Sequence, residues 1–217
     1  MVSCPAFEQF LAEHCAPTLL SQKCGSLISL SSRRFPDLSF LADYGPALSQ
    51  RGISYRILWQ SSERTLFFLY RSPKLLSVLR SPEAQAVLMQ FGYPGPEASV
   101  LPGDSDPLKT PPGHGDALPA PSDPPDLTAL LRHLERRLVF SDGSFPHEIG
   151  LFLGYPPKDV SSFIRCGGKN CRFCGYWKVY HDTEAAKRAF THYDRCRKFL
   201  CLWLRLGNSI AELPLAA

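Results

Sequence analysis

Three cysteines crowd into nine residues of the C-terminal half of the chain: Cys166, Cys171 and Cys174. Their Cys-x₄-Cys-x₂-Cys spacing is that of the ligand run in plant-type two-iron, two-sulfur proteins, which takes a fourth cysteine further along the chain. Cys196 and Cys201 both follow at positions where they can supply that ligand. Because thiolates also bind zinc, the spacing favours a transition-metal site that holds zinc or iron.

A histidine offers a second ligand set for zinc in the same region. Cys171 and Cys174 form a Cys-x₂-Cys pair, and His192 and Cys196 follow one turn apart on one face of a predicted helix. Cys196 also falls on the apolar stripe of that helix, where a buried cysteine behaves as a small hydrophobic residue. Three interpretations therefore stay open: a metal site, a thiol redox pair beside cationic side chains, and a structural loop with incidental thiols.

A second group of cysteines lies near the N-terminus, where Cys15 directly follows His14. Adjacent residues of a helix point about 100° apart, so this pair does not by itself form a nucleophile with its base. We hypothesise that Cys15 lies near Cys174 in the folded protein and joins the two cysteine groups into one site. A thiol-dependent enzyme that uses Cys15 or Cys174 as its thiolate is a further alternative.

His147 and Glu148, in the segment H-E-I-G-L, match the start of a zinc-protease motif. That motif needs a second histidine four residues after the first, and this position holds Leu151. The spacing therefore excludes the protease chemistry. Glu148 is expected to stabilise the positive end of a helix, and His147 remains a candidate site residue.

Residues 165–205 are basic, with ten Lys and Arg against three Asp and Glu. Aromatic side chains alternate with these cations, and Trp177 and Lys178 are adjacent among them. Such a surface can stack on bases and bind phosphates. The main alternative to a metal protein is therefore a non-catalytic interaction module that binds protein or nucleic acid. Nucleic acid is the less favoured partner because no recognised binding motif accompanies the surface.

The elements that must position these residues are those of an α+β fold. Hydrophobic periodicity predicts a small mixed sheet of about three strands, including a β-hairpin, covered by several helices. Residues 53–59 and 65–70, rich in β-branched and aromatic side chains, form the predicted hairpin. A helix is predicted over 7–20 with a break at Pro17, and Asp182 is predicted to cap the last long helix.

Composition divides the chain into three parts. Residues 1–92 form an N-terminal α/β part, and residues 93–125, with ten of the twenty prolines, form a Pro-rich flexible linker. Residues 126–217 form a helical part that carries the cysteine loop. We expect the first and third parts to fold together as one compact domain.

Targeting features are not apparent in the sequence. No apolar run approaches the roughly 18 residues of a membrane span, and the N-terminus lacks the pattern of a signal peptide. We therefore expect a cytoplasmic protein without a membrane partner, in which the thiols stay reduced.

Four segments resemble a known family: H-C-A-P-T-L at 14–19, R-S-P-K-L at 71–75, F-P-H-E-I-G-L-F-L-G-Y-P at 145–156 and C-G-Y-W-K-V-Y at 174–180. They are similar to an uncharacterised bacterial family catalogued as domain of unknown function 3793. The resemblance covers nearly the whole chain except the Pro-rich insert. The family has no established activity, and its loose association with iron-transport and flavodoxin genes of anaerobic bacteria implies an accessory role in iron or redox metabolism.

Overall fold

The computed structural model describes residues 4–95, 123–140 and 145–214. Within these ranges it contains eight α-helices, a three-stranded sheet and a two-stranded sheet, which confirms the predicted α+β class. Most of the predicted Pro-rich linker, residues 96–122, lies outside the described residues. None of the described helices combines the length and the apolarity that crossing a membrane requires.

Three strands form the central sheet: β1 (Gly25–Ser31), β2 (Ser54–Gln60) and β3 (Arg64–Tyr70), in the order β1-β3-β2. Strands β2 and β3 form the predicted hairpin. The sheet is antiparallel throughout, so the predicted mixed sheet is wrong in this respect. A short turn reverses the chain between β2 and β3, and β1 pairs antiparallel with the other edge of β3.

Strand β3 is buried on both faces, since alternate side chains of a strand point to opposite sides of the sheet. Phe67 and Leu69 belong to one hydrophobic core, and Phe68 and Tyr70 belong to a second core. Helices therefore cover the sheet on both sides.

The first core is covered by α1 (Pro5–Leu19), α2 (Leu41–Ser49) and α8 (Thr183–Arg205), with α1 packed along α8. The predicted break of α1 at Pro17 does not occur, because this proline lies in the last turn and only two more helical residues follow it. The predicted cap of α8 is confirmed, since the Asp182 carboxylate accepts the backbone N–H of Ala185 at 2.9 Å.

The second core is covered by α3 (Ser72–Leu79), α4 (Pro82–Gln90), α5 (Pro125–Phe140), α6 (Ile149–Phe152) and α7 (Pro157–Arg165). Helices α3 and α7 are not among the elements predicted from the sequence. Both helices carry a proline in the first turn, a position that proline favours, so a signal for their start was present in the sequence.

The cysteine-rich segment folds into a small hairpin between α7 and α8. Strand β4 (Phe173–Cys174) pairs antiparallel with strand β5 (Lys178–Val179), and residues 175–177 form the turn. We call residues 173–179 the cysteine hairpin.

Candidate functional site

A cavity of about 300 Å³ lies beneath the cysteine hairpin. Its walls come from the hairpin, from the segment 145–155 and from α7, so two of the four family-like segments meet in it. We call it the aromatic pocket, and the following side chains and backbone atoms line it: Phe145, His147, Ile149, Gly150, Leu153, Tyr155, Asp159, Val160, Phe163, Cys174, Gly175, Trp177 and Lys178.

Asp159, in the first turn of α7, fastens the cysteine hairpin to that helix. Its side chain is buried, with the residue 3% exposed. One carboxylate oxygen accepts the backbone N–H groups of Tyr180 at 2.9 Å and His181 at 3.1 Å, and the other accepts the indole N–H of Trp177 at 2.8 Å. A carboxylate can satisfy three such donors at once, so one side chain fixes both a strand end and a pocket wall. Sequence reasoning does not single out Asp159.

The aromatic residues of the hairpin are anchors within the protein. Trp177 stacks on Tyr155 with ring centroids 5.3 Å apart and meets Phe190 of α8 edge to face at 4.5 Å. A Cβ atom at Gly175 would lie 2.1 Å from the Phe190 ring, so only glycine permits this close approach. Packing of this kind supports a structural role for the rings over an exposed surface that stacks on bases.

Four sequence-predicted site residues come together in the aromatic pocket: His147, Cys174, Trp177 and Lys178. The His147 ring packs against Phe163 at 4.9 Å, and the exposed Cys174 lies on the hairpin. The Lys178 ammonium donates to the carbonyl oxygen of Gly168 at 2.7 Å. Within the described residues no carboxylate forms an ion pair with it.

Cys166 and Cys171 do not line the pocket, and both lie near enough to Tyr180 to influence its phenol electrostatically. Burial, and then the proximity of these two thiols, raises the pKa of Tyr180. Tyr180 is 7% exposed, and its hydroxyl is buried without a hydrogen-bond partner among the described residues. The turn that carries the two cysteines is tight, with positive φ angles at Gly168 and Asn170.

The remaining predicted metal ligands are placed elsewhere. Cys196 is buried in the first core, as its place on the apolar stripe indicates, and His192 is exposed on α8. Cys201 packs partly buried against the same core. In the described part of the chain no three His, Cys, Asp or Glu side chains are grouped so as to hold a metal ion. The two sets of metal ligands predicted from the sequence remain predictions.

His14 and Cys15 face different surroundings on α1. Cys15 is fully buried in the first core, and burial raises the pKa of its thiol to about 12. A thiol of that pKa stays protonated near neutral pH, so Cys15 is a poor nucleophile. His14 instead packs against Phe10 with ring centroids 4.4 Å apart. No cavity described here is lined by both Cys15 and Cys174, and their proximity stays a hypothesis.

The chain is an α+β protein in which the buried Asp159 carboxylate holds the cysteine hairpin over an apolar pocket. The chain also matches the family model described as protein of unknown function (DUF3793), over residues 11–101 and 121–214, and it belongs to this family. The unmatched residues between these ranges fall within the predicted Pro-rich insert. No curated protein and no solved structure matches the chain.

Proposed function

We propose that this protein is a non-catalytic binding protein whose aromatic pocket takes a small, planar and largely apolar molecule. One observation carries the proposal: two separate family-like segments and α7 enclose a cavity of about 300 Å³ that is lined mostly by apolar and aromatic groups. Small-molecule sites are concave and mostly apolar with a few polar groups, and they start at about this volume.

The lining favours a ring-shaped ligand. Tyr155, Phe163 and Trp177 present aromatic surface to the cavity, and rings gain free energy by stacking on one another beyond simple burial of area. His147 and Lys178 supply the few polar groups that orient a ligand.

The polar groups of the pocket support binding over catalysis. The Asp159 carboxylate is occupied by three donors of the protein itself. Among the described residues neither Cys174 nor His147 has a hydrogen-bonded side chain that could serve as its base or acid. A nucleophilic mechanism needs such a partner.

Binding can be tested with N-phenyl-1-naphthylamine, a neutral probe whose fluorescence rises in an apolar environment. We expect saturable binding to the wild-type protein. Replacing Cys174 with Trp should weaken it about 10- to 100-fold, because the added indole occupies part of the pocket and removes apolar contact worth about 1.5–3 kcal/mol. Fluorescence titration measures both affinities.

The matched control is Leu202→Trp, which adds the same side chain at an exposed position of α8. Both variants should keep the melting temperature of the wild type within a few degrees, which shows that weaker binding does not result from unfolding. Absence of saturable binding to the wild type, or equal weakening by the two substitutions, contradicts the proposal.

A second candidate function is metal binding by Cys166 and Cys171, in the accessory role in iron or redox metabolism that the family resemblance implies. The specific observation in its favour is twofold: both thiols lie near enough to the Tyr180 phenol to raise its pKa, and its buried hydroxyl has no hydrogen-bond partner among the described residues. A buried polar oxygen without a partner is costly, and coordination by zinc or iron would satisfy it together with the two thiolates.

Zinc should slow the reaction of Cys166 and Cys171 with a thiol reagent, because a metal-bound thiolate is shielded. Mass spectrometry after brief alkylation of the reduced protein, with and without Zn²⁺, measures this residue by residue. Cys166→Ser should remove the protection of Cys171, whereas Cys201→Ser, the matched control, should leave it intact. If Zn²⁺ protects neither thiol in the wild type, this candidate is wrong.

A further inference from the structure

A second, larger cleft of about 710 Å³ adjoins the aromatic pocket. Leu153, Tyr155 and Gly175 line both cavities, so the two adjoin along these residues. Lys23 lies in the cleft with its ammonium 5.0 Å from the centre of the Tyr155 ring. The same ring stacks on Trp177 in the aromatic pocket. Lys23 therefore lies at the border between the two cavities.

The acidic groups around Lys23 are occupied by other donors. Asp194 accepts the Tyr176 hydroxyl at 2.9 Å and Arg197 at 3.3 Å, and Glu13 accepts the side-chain amide of Gln9 at 2.8 Å. The charged and titratable groups that face Lys23 from the cleft and the neighbouring core are these: Glu13, His14, Cys15, Cys24, Tyr155, Tyr176, Asp194 and Arg197. Within the described residues Lys23 makes no ion pair and no side-chain hydrogen bond.

The electrostatics of Lys23 agree with this geometry. Desolvation is the largest cause that lowers the pKa of its ammonium to about 8. Near pH 7 the amine still carries its charge for most of the time. A partly desolvated cation without a carboxylate partner gains free energy when an anion binds beside it.

We propose that the molecule held in the aromatic pocket carries an oxyanion, a carboxylate or a phosphate, and that Lys23 binds this group in the adjoining cleft next to Tyr155. The inference rests on the proposed pocket and names the class of its ligand: an aromatic or otherwise planar acid. Arg197 and His14, which line the same cleft, place further cationic or hydrogen-bonding groups near the oxyanion.

The test uses displacement of N-phenyl-1-naphthylamine by three matched compounds: 1-naphthoate, 1-naphthyl phosphate and the neutral 1-naphthamide. At least one anion should bind more tightly than the amide, and the preferred anion separates a carboxylate from a phosphate ligand. Lys23→Met should weaken the anions about tenfold, the loss expected for a charge-assisted hydrogen bond, and leave the amide unchanged. Lys23→Arg should retain the preference for the anions.

Two lysine variants serve as controls. Lys198→Met removes an exposed charge of α8 and should change none of the affinities, and Lys178→Met removes the lysine of the pocket itself. If Lys178→Met abolishes the anion preference and Lys23→Met does not, the oxyanion lies at Lys178 and the inference is overturned. If the amide displaces the probe and no anion is preferred, the inference of an oxyanion at Lys23 is wrong, whereas the proposed binding in the pocket is supported. If the probe itself does not bind, both proposals fail.

The same assay has a pH readout. As the pH rises through about 8, Lys23 loses its proton and the affinity for 1-naphthoate should fall, whereas the affinity for 1-naphthamide should stay level. An anion affinity that is flat between pH 7 and about 9 counts against Lys23 as the binding group.

Discussion

Replacing Asp159 with Ala should lower the free energy of unfolding by about 3 kcal/mol or more and abolish binding in the aromatic pocket. The substitution leaves three donors without their acceptor: the backbone N–H groups of Tyr180 and His181 and the indole N–H of Trp177. A buried donor left unpaired costs about 1–3 kcal/mol, and here the hydrogen bond from Tyr180 is buried and the other two are partly buried. Since Trp177 forms a wall of the pocket, its release removes the binding surface as well.

Asp159→Asn separates the two effects. The amide oxygen can still accept the two backbone N–H groups, but its NH₂ group then faces the indole N–H of Trp177, donor against donor. We expect a smaller loss of stability and a large loss of probe binding. Urea unfolding and titration with N-phenyl-1-naphthylamine measure the two quantities.

Asp182→Ala is the matched control, because it removes an acidic side chain that caps α8 through one backbone N–H group. It should cost only about 1 kcal/mol, the usual value for a lost N-cap, and leave probe binding intact. If Asp159→Ala proves no more destabilising than Asp182→Ala, the buried carboxylate does not hold the hairpin as described.

Replacing Arg71 with Met should destabilise the whole domain by about 3–5 kcal/mol. The guanidinium, in a residue 7% exposed, donates to the carbonyl oxygens of Thr18 at 2.8 Å, Leu19 at 2.7 Å and Arg51 at 2.7 Å. It thereby satisfies the C-terminal carbonyls of α1, which no intrahelical donor reaches. Methionine fills similar volume but removes the donor to the carbonyls of Leu19 and Arg51, whereas the Thr18 carbonyl keeps the Ser21 N–H. Breaking a buried charged network is costly.

Arg71→Lys should recover only part of the loss, because an ammonium cannot span three carbonyls as a planar guanidinium does. Arg51→Met is the control: its guanidinium also binds backbone carbonyls, including Leu213 at 3.0 Å, but it is partly exposed and should cost less. Urea unfolding measures the stabilities, and amide hydrogen exchange should rise first at the end of α1. Equal stability of the Met variants at 71 and 51 would contradict this role of Arg71.

Local patterns were sufficient for much of the fold. The hairpin of β2 and β3 follows from β-branched and aromatic residues on either side of a short polar turn. The cap at Asp182 follows from an acidic residue just before an amphipathic run. Such features depend on neighbours in the sequence, so the sequence alone predicts them. The helix α7 is not predicted from the sequence, although it is amphipathic and Pro157 marks its start.

The candidate site was predictable only in its parts. His147, Cys174, Trp177 and Lys178 were recognisable from their types and from the segments that carry them. The cysteine spacing predicts that Cys174 shares a metal with Cys166 and Cys171, and this stays a prediction. In the folded chain Cys174 lines the aromatic pocket and the other two cysteines do not. Spacing along the chain does not reveal which cavity a side chain lines.

The sequence by itself determined the α+β class, the hairpin, the cap of the last helix and the residue types available for chemistry, because these follow from periodicity and local hydrogen bonding. Only the tertiary structure decided what surrounds each group. Asp159 holds the cysteine hairpin through donors about 20 residues away. Lys23 is partly desolvated in a cleft whose lining includes Tyr155, Tyr176 and Arg197 from the far end of the chain. Burial and the supply of partners arise from long-range packing, and no local pattern encodes them.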